Sequence, residues 1–402
     1  MLNSRLKALP DYPFPRMRAL LSDIAPGDPS GLNMSVGEPQ HAVPDFVADI
    51  LDRERAAYHK YPPVAGTEDW QEAVAGWLER RFSIAPGHLG GDHLVPLSGS
   101  REGLFSIGFV TIDRRKDGQV PLVLMPNPFY QPYAGAAIGA NAEPYYVNAE
   151  ADNGFLPDYE SLPEQVLRRT ALCFICNPAN PQGSLASLDY LKKAIRLARK
   201  YDFVVVGDEC YSEIYDAEVP AGILQACMEL VAEGEGDKDN PFHNVVCFNS
   251  LSKRSNLAGL RSAFMAGDPV IAGEFRRLRN YGGSPLPLPV YAASAAAWRD
   301  EKHVIENRTL YRRKFDLAEK YLAGRFDFSR PAGGFCLWLN VGDGEQATRR
   351  LWQEAGIRVL PGAYLARPGQ NGVNPGSGYI RLVLVHGEDL LEPALAKIAT
   401  IL

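Results

Sequence analysis

The sequence predicts an α/β protein whose large domain contains a mostly parallel sheet and whose smaller second domain is α+β. From about residue 70 onward, short apolar runs alternate with amphipathic helical patterns, which is typical of parallel strands covered by helices. Polar motifs directly follow most of these runs, and ligands bind at the carboxyl ends of the strands in open α/β sheets. After residue 285 the pattern changes to long helices and two further apolar runs, which indicates a second domain.

The elements can be placed in chain order. Apolar runs predict strands of the large sheet at residues 94–97, 120–125, 171–176, 203–206 and 245–248. A helix is predicted over 188–199, where Leu188, Leu191, Ile195 and Ala198 recur at helical spacing. The second domain would contain strands at 335–339 and 379–385. We expect an N-terminal segment (1–46) that joins the small domain, a large domain (47–285) and a small C-terminal domain (286–402).

The composition is that of a globular protein and argues against several functions. The chain is long enough for two cores, with 46% hydrophobic and 22% charged residues. A net charge of -6 argues against nucleic-acid binding, so the basic clusters 114–116 and 276–279 are interpreted as solvated faces. The N-terminus lacks the apolar core of a secretory signal, and no stretch is long enough to span a membrane. We expect a cytoplasmic protein without nucleic-acid or membrane partners.

The six cysteines include a CxxC pattern, Cys173 and Cys176, that could bind zinc or form a redox pair. Positions three apart on a buried strand point to opposite faces, so the two sulfurs should diverge. Several cysteines lie in apolar runs, which suits reduced thiols in the cytoplasm. The seven histidines are scattered without ligand spacing, and no metal site is expected.

Lys253 is the strongest candidate for a functional residue. It lies five positions after the apolar run 245–248; Ser250 and Ser252 precede it, and Arg261 follows eight positions later. A solvated surface lysine is the ordinary alternative. A position just past a buried strand can desolvate the amine, however, so that it loses its proton near neutral pH and acts as a Schiff-base nucleophile. Burial and the nearby Arg261 should lower its pKa, while the serines and the arginine could bind a phosphate.

Other candidates follow the remaining strands. Asp208 comes after the run 203–206; a protonated pyridine nitrogen could neutralise this carboxylate, although a helix N-cap is an equal alternative. Asn180 lies in a turn with two Asn-Pro pairs and could donate, together with Tyr211, to the phenolic oxygen of a cofactor. Tyr130 could stack on a pyridine ring or pack in the core.

Two further motifs suit anions. The string 98–101 opens a helical segment, where Gly99 allows close approach and free N–H groups of Ser100 and Arg101 could meet a phosphate, although capping also explains the motif. Arg381 lies in the apolar run 379–385, and a buried guanidinium must find either a substrate carboxylate or an internal ion partner.

The order and spacing of these residues resemble those of the class I aminotransferases, which are fold type I pyridoxal phosphate enzymes. The resemblance covers nearly the whole chain and rests on Gly37, Tyr61, Gly99, Tyr130, Asn180, Asp208, Tyr211, Lys253, Arg261 and Arg381. It implies pyridoxal 5'-phosphate as the cofactor. It also implies a homodimer with shared active sites, in which Tyr61 reaches the phosphate in the partner subunit.

The resemblance further implies a role for each residue. Lys253, Asp208 and Tyr211 would be catalytic, with Lys253 bound to the cofactor and moving the proton at the substrate's α-carbon. The cofactor would be held by Gly99, Ser100, Arg101, Tyr130, Asn180, Ser250, Ser252, Arg261 and Tyr61. The α-carboxylate would be held by Arg381, Gly37 and Asn180. Arg101 could instead bind a remote carboxylate of the substrate.

The stretches 12–21, 126–133, 208–213 and 250–257 resemble the succinyldiaminopimelate aminotransferase branch of lysine biosynthesis. That branch exchanges an amino group between glutamate and N-succinyl-2-amino-6-oxopimelate. Alternatives are an aminotransferase for aspartate, an aromatic amino acid or free LL-diaminopimelate, and a β-eliminating C–S lyase. A regulator that keeps the fold as a ligand sensor would need a DNA-binding domain, for which residues 1–50 are too short and too rich in proline.

Overall fold

The computed structural model describes residues 4–9, 11–369 and 372–402; residues 1–3 and 10 of the expected N-terminal segment lie outside the described residues. The strands are β1 (Leu94–Leu97), β2 (Leu122–Asn127), β3 (Glu143–Asn148), β4 (Thr170–Cys176), β5 (Val204–Asp208), β6 (Val245–Ser250), β7 (Ala263–Gly267), β8 (Cys336–Asn340), β9 (Leu360–Pro361) and β10 (Tyr379–Val383). The helices are α1 (Pro13–Leu20), α2 (Phe46–Arg53), α3 (Glu68–Phe82), α4 (Ser100–Thr111), α5 (Gln131–Gly139), α6 (Glu164–Arg169), α7 (Leu188–Tyr201), α8 (Ile223–Ala232), α9 (Leu251–Arg254), α10 (Pro269–Arg279), α11 (Leu288–Arg299), α12 (Lys302–Leu322), α13 (Gly344–Ala355) and α14 (Glu388–Ile401).

The large sheet has the order β1-β7-β6-β5-β4-β2-β3. Strands β6, β5, β4, β2 and β3 are parallel to one another, and β7 runs antiparallel to both β1 and β6. The predicted α/β class with a mostly parallel sheet is therefore confirmed. Strands β3 and β7 of this sheet, and β9 of the small sheet, have no counterpart among the predicted strands.

The large sheet is buried on both faces, as its apolar runs require. Alternate residues of a strand pack into different clusters, because successive side chains point to opposite faces. On β5, Val205 belongs to one cluster, whereas Val204 and Val206 belong to the other. The sheet thus has a helical layer on each side, and its strand ends are left as the place where polar side chains can meet.

Strand β2 differs from its prediction at both ends. It begins at Leu122, two residues later than expected, and it includes Pro126 and Asn127, which lie beyond the predicted end at residue 125. Its pairing with β4 ends at Leu124. Pro126 is therefore beyond this pairing, where a residue without an N–H group removes no hydrogen bond to β4.

The small sheet has the order β8-β10-β9 and is antiparallel. Side chains of α12, α13 and α14 pack against it in a separate apolar cluster, which also contains Met34. Helix α11 and Leu286 instead belong to a cluster of the large sheet, where α11 packs against α3. We therefore propose that the domain boundary expected at residue 285 lies after α11, near residue 300.

The N-terminal part of the chain contacts both parts. Helix α1 packs against Leu360 on β9 and against Tyr364 and Leu365, which come shortly after β9 in the chain. Val47 on α2 packs instead into a cluster of the large sheet. Over the part of the chain that the structure describes, no helix is both long enough and apolar enough to cross a membrane.

Candidate active site

A pocket lies at the carboxyl ends of β1, β2, β4, β5 and β6, and β10 of the small sheet contributes a residue to its wall. Nine residues selected from the sequence line it: Gly37, Ser100, Arg101, Tyr130, Asn180, Asp208, Tyr211, Lys253 and Arg381. Five strand ends meet here because parallel strands deliver the residues that follow them to one edge of the sheet. The chain thus brings together side chains that are more than three hundred positions apart.

Gly99, Ser250, Ser252 and Arg261 form a group beside the pocket. Arg261 donates from Nη2 to the carbonyl of Ser98 at 3.1 Å. The Ser250 hydroxyl accepts from the N–H of Ser252 at 3.1 Å and so opens α9. Gly99 has φ = 90° at the N-cap of α4, and a Cβ there would lie 1.7 Å from Arg261 Nη2. Glycine is therefore required for both the backbone and the space, and the arginine is held against the free N–H groups that begin α4.

Lys253 lies on α9, immediately after β6. Its Nζ donates to the carbonyl of Gly37 and lies 5.2 Å from the ring centroid of Phe335. Burial lowers the pKa of Lys253 to about 8, and the charge of Arg381 lowers it as well. The neighbouring charge expected from the sequence was Arg261; Arg381 contributes here instead. An amine with this pKa is available as a nucleophile or base near neutral pH.

Asp208 is the buried carboxylate of the site, only 5% exposed. The hydroxyl of Tyr133 donates to its Oδ2 at 2.6 Å, and the N–H of Cys210 donates to Oδ1 at 3.4 Å. Burial raises the pKa of Asp208, whereas these two hydrogen bonds oppose the rise. Within the described residues the carboxylate has no ion-pair partner, so a cation in the pocket would be strongly stabilised beside it.

Arg381 enters the pocket from β10 and is buried. It donates from Nη2 to the carbonyl of Ser35 at 2.8 Å and from Nη1 to Oδ1 of Asn180 at 3.5 Å. Its Nε is buried and has no acceptor among the described residues. The guanidinium therefore keeps donor capacity for an anion, and the internal ion partner considered from the sequence is absent from the described chain.

Tyr211 and Tyr130 line two sides of the pocket. The ring of Tyr211 packs edge-on against Phe335 at 5.2 Å, and burial raises its pKa well above the ordinary value. Arg101 donates from Nε to the hydroxyl of Tyr130 at 2.9 Å. Burial raises the pKa of Tyr130 to about 12, against the effect of this hydrogen bond. Both tyrosines are thus neutral hydrogen-bonding groups near pH 7.

Two sequence candidates lie apart from this group. Tyr61 is fully exposed and makes no contact with the pocket of its own chain. Of the CxxC pair, Cys173 packs in the large-sheet core, whereas Cys176 lines the pocket; both thiols are free. The two cysteines therefore do not act as a pair.

Sequence reasoning missed several residues of the site. Tyr133 lies inside α5 and stacks on Phe174 with ring centroids 4.3 Å apart, so it has the pattern of a core residue although its hydroxyl reaches Asp208. The ring of Phe335, just before β8, contacts both Lys253 and Tyr211, because the small sheet packs against the large one. The sequence carries no local signal for either role.

These residues fit pyridoxal 5'-phosphate. The group of Gly99 and Arg261 offers N–H donors and a guanidinium to a phosphate, and buried Asp208 needs the positive charge that a pyridinium nitrogen carries. Lys253 has an amine of suitable pKa for the aldehyde of this cofactor. Arg381 keeps donors free for a carboxylate.

Comparisons with known proteins agree with this fit. Residues 29–398 match the family described as aminotransferase class I and II. The LL-diaminopimelate aminotransferase of Syntrophobacter fumaroxidans is 30% identical over 401 residues, which are 98% of this chain and 97% of the relative. An aminotransferase structure from Neisseria meningitidis has a TM-score of 0.92 and 40% identity over 99% of both chains. The aminotransferase AspB from Helicobacter pylori has a TM-score of 0.86 and 37% identity, covering 97% of this chain and 98% of its own.

Proposed function

Because this chain belongs to the class I and II aminotransferases, which depend on pyridoxal phosphate, we propose that it transfers the amino group of a diaminopimelate-type amino acid to 2-oxoglutarate. One observation of the site carries the proposal: two guanidiniums, Arg381 and Arg101, line one pocket, and neither has a carboxylate partner among the described residues. Two guanidinium groups that lack a carboxylate partner, at separate positions in the pocket, suit an amino acid with a carboxylate at each end.

Two forms of this substrate are candidates. The curated relatives that match the whole chain at about 30% identity are named LL-diaminopimelate aminotransferases, which favours the free amino acid. The stretch 12–21, which resembles the succinyldiaminopimelate branch, contributes Tyr12, Pro13 and Phe14 to the pocket wall, which favours the N-succinylated form. Both donors belong in the test.

The proposed roles follow from the contacts. The bound cofactor supplies an electron-poor ring that makes the α-proton of the substrate acidic. Lys253, whose amine is uncharged above pH 8, would accept this proton from the α-carbon and deliver it to the aldehyde carbon (C4′) of the cofactor. Arg381 would hold the α-carboxylate, so that the C–H bond faces Lys253, with Asn180 and the backbone of Gly37 on either side.

Asp208 and Tyr133 would act together. The carboxylate would hold a proton on the ring nitrogen of the cofactor, and the 2.6 Å hydrogen bond from Tyr133 favours the charged form of that carboxylate against the effect of burial. Tyr130 would pack on the ring, while Asn180 and Tyr211 would donate to its phenolic oxygen. Ser100, Ser250, Ser252 and Arg261, with the N–H groups after Gly99, would bind the phosphate.

We further propose a homodimer in the cytoplasm. Tyr61 is fully exposed, and its hydroxyl has no partner among the described residues, which suits a side chain that reaches the phosphate site of a second copy. All six cysteines are free thiols, which suits a reducing compartment.

The test is a single-turnover absorbance experiment without an oxo-acid acceptor. The purified holoenzyme is mixed in turn with LL-diaminopimelate, N-succinyl-LL-diaminopimelate, glutamate and aspartate. Conversion of the cofactor to its amine form by glutamate and by one of the diaminopimelates is expected. A response to aspartate but to neither diaminopimelate would refute the substrate class. Release of pyruvate and ammonia from L-cystathionine, which carries a sulfur leaving group on its β-carbon, would instead indicate a C–S lyase.

A further inference from the structure

Two arginines lie just outside the wall of the pocket. Arg16 is on α1, one helical turn after the pocket residues Tyr12 and Pro13, and its guanidinium carbon lies 3.9 Å from the ring centroid of Tyr364. Arg367 comes two residues after the pocket residue Leu365. We call these two arginines the rim pair.

The position of Arg367 is fixed to the large sheet. Asn127, at the end of β2, accepts from the backbone N–H of Arg367 at 3.0 Å and donates to its carbonyl at 2.8 Å. The Arg367 guanidinium carbon lies 5.4 Å from the ring centroid of Phe129, which itself lines the pocket. Both arginines of the rim pair thus stand on aromatic rings at one side of the pocket mouth.

The positive charges of the rim pair are not neutralised by ion pairs among the described residues. Neither arginine has a carboxylate within 4 Å among the described residues, and the hydrogen bonds of the Arg367 side chain go only to the adjacent carbonyl of Ala366. Burial lowers the pKa of Arg367, and the nearby charge of Arg16 lowers it further, while Asp11 opposes this. Two like charges at one side of the pocket mouth, neither with a carboxylate partner, favour an anion beside them.

Building on the proposed function, we propose that the rim pair determines specificity by binding an anionic group at the far end of the substrate, and so selects the N-succinylated over the free diaminopimelate. The two forms differ where the rim pair would act. N-succinylation replaces an ammonium group, which two arginines repel, with an amide that carries a further carboxylate, which they attract. Arg381 and Arg101 remain for the other two carboxylates, so each anion of the succinylated substrate has a cation.

The rim pair has a structural alternative, in which the arginines only cover aromatic surface. That role is independent of the charge of the substrate. The two roles are separated by comparing donors, since glutamate is too short to extend from Arg381 to the rim and should not respond to a change there.

The experiment measures kcat and KM of the holoenzyme for N-succinyl-LL-diaminopimelate, LL-diaminopimelate and glutamate. The unchanged protein is expected to prefer the succinylated donor. Arg16→Gln and Arg367→Gln should each lower kcat/KM for that donor by about tenfold, through KM, and leave glutamate unchanged. Arg16→Lys and Arg367→Lys should recover part of the loss. Arg18→Gln, an exposed arginine of the same helix outside the pocket, is the matched control and should change nothing.

Equal losses for glutamate and the succinylated donor, or no loss for either, would overturn the proposal. A holoenzyme that converts free LL-diaminopimelate but not its succinyl form would also overturn it, while leaving the proposed function intact. If neither diaminopimelate is converted although glutamate is, the proposed function fails together with the role of the rim pair.

Discussion

Replacing Gly99 with alanine should weaken the binding of pyridoxal phosphate through its phosphate alone. The added Cβ would lie 1.7 Å from Nη2 and 2.6 Å from the central carbon of Arg261, so the guanidinium must move away. The phosphate would then lose charge-assisted hydrogen bonds, each worth about 1.5–3 kcal/mol. We expect the Kd for the cofactor to rise about 10- to 100-fold.

The same substitution also strains the backbone, because Gly99 has φ = 90°. Gly87 provides the matched control: its φ is 89°, but nothing lies within 4 Å of a Cβ built there. Both alanine variants should lose about 1–3 kcal/mol of unfolding free energy from strain. Only Gly99→Ala should lose cofactor affinity in addition.

The assay is titration of the cofactor-free protein, followed by absorbance, with pyridoxal phosphate and with pyridoxal, which lacks the phosphate. Gly99→Ala should weaken the first and leave the second unchanged. Equal weakening of both ligands would refute the reasoning, because the loss would then lie outside the phosphate site. An unchanged affinity for pyridoxal phosphate would show that Arg261 does not contact the phosphate.

Three further predictions concern the remaining parts of the site. Tyr133→Phe removes the hydrogen bond that favours the charged form of Asp208 and should lower kcat/KM for glutamate about tenfold. Tyr190→Phe removes a 2.7 Å hydrogen bond to the carbonyl of Pro157, remote from the pocket, and should leave kcat/KM unchanged. Equal effects of the two substitutions would contradict the pairing of Tyr133 with Asp208. Because burial lowers the pKa of Lys253 to about 8, the rate at which the cofactor-free protein binds pyridoxal phosphate covalently should rise with pH up to about 8 and then level off. A rate that continues to rise up to pH 10 would contradict a desolvated amine. Mixed dimers of Tyr61→Ala and Lys253→Ala subunits should show more activity than the two variants measured separately, because one of their two sites keeps both side chains; no gain would exclude a shared site.

Much of the fold could be predicted because apolar periodicity is a local signal. The predicted strand at 94–97 agrees with β1 at both ends, and the predicted helix 188–199 is α7 with two more residues. The three missed strands lack this signal, and β9 is only two residues long. β7 is a five-residue strand of small and apolar residues that ends in glycine, and β3 lies at the edge of the sheet and begins with Glu143 and ends with Asn148. β3 is paired on one side only, with β2, and β7 pairs with β6 and β1, so both segments are strands because of their pairing rather than because of an apolar pattern of their own.

The candidate site was predictable where a polar residue lies at or just after the end of a buried strand, as Asp208 does at the end of β5 and Lys253 does on α9 after β6. Contacts made by the small sheet were not predictable, since they depend on how the two parts of the chain pack. The pKa of Lys253 illustrates the difference: burial could be inferred from the preceding run, whereas the neighbouring charge proved to be Arg381 and not Arg261. The positions of Arg16 and Arg367 at one pocket mouth likewise follow only from the fold.

The most direct test of the proposed active site is to determine which lysine holds the cofactor. Borohydride reduction of the holoenzyme makes the bond between pyridoxal phosphate and its lysine permanent, and peptide mass mapping then locates the modified residue. Lys314 is a meaningful competitor, because burial lowers its pKa to about 8 as well, but its Nζ donates to the carbonyl of Val385, and the residue does not line the pocket. We expect the added mass on Lys253; the mass on Lys314, or on any other lysine, would contradict the assignment of Lys253 as the residue that holds the cofactor.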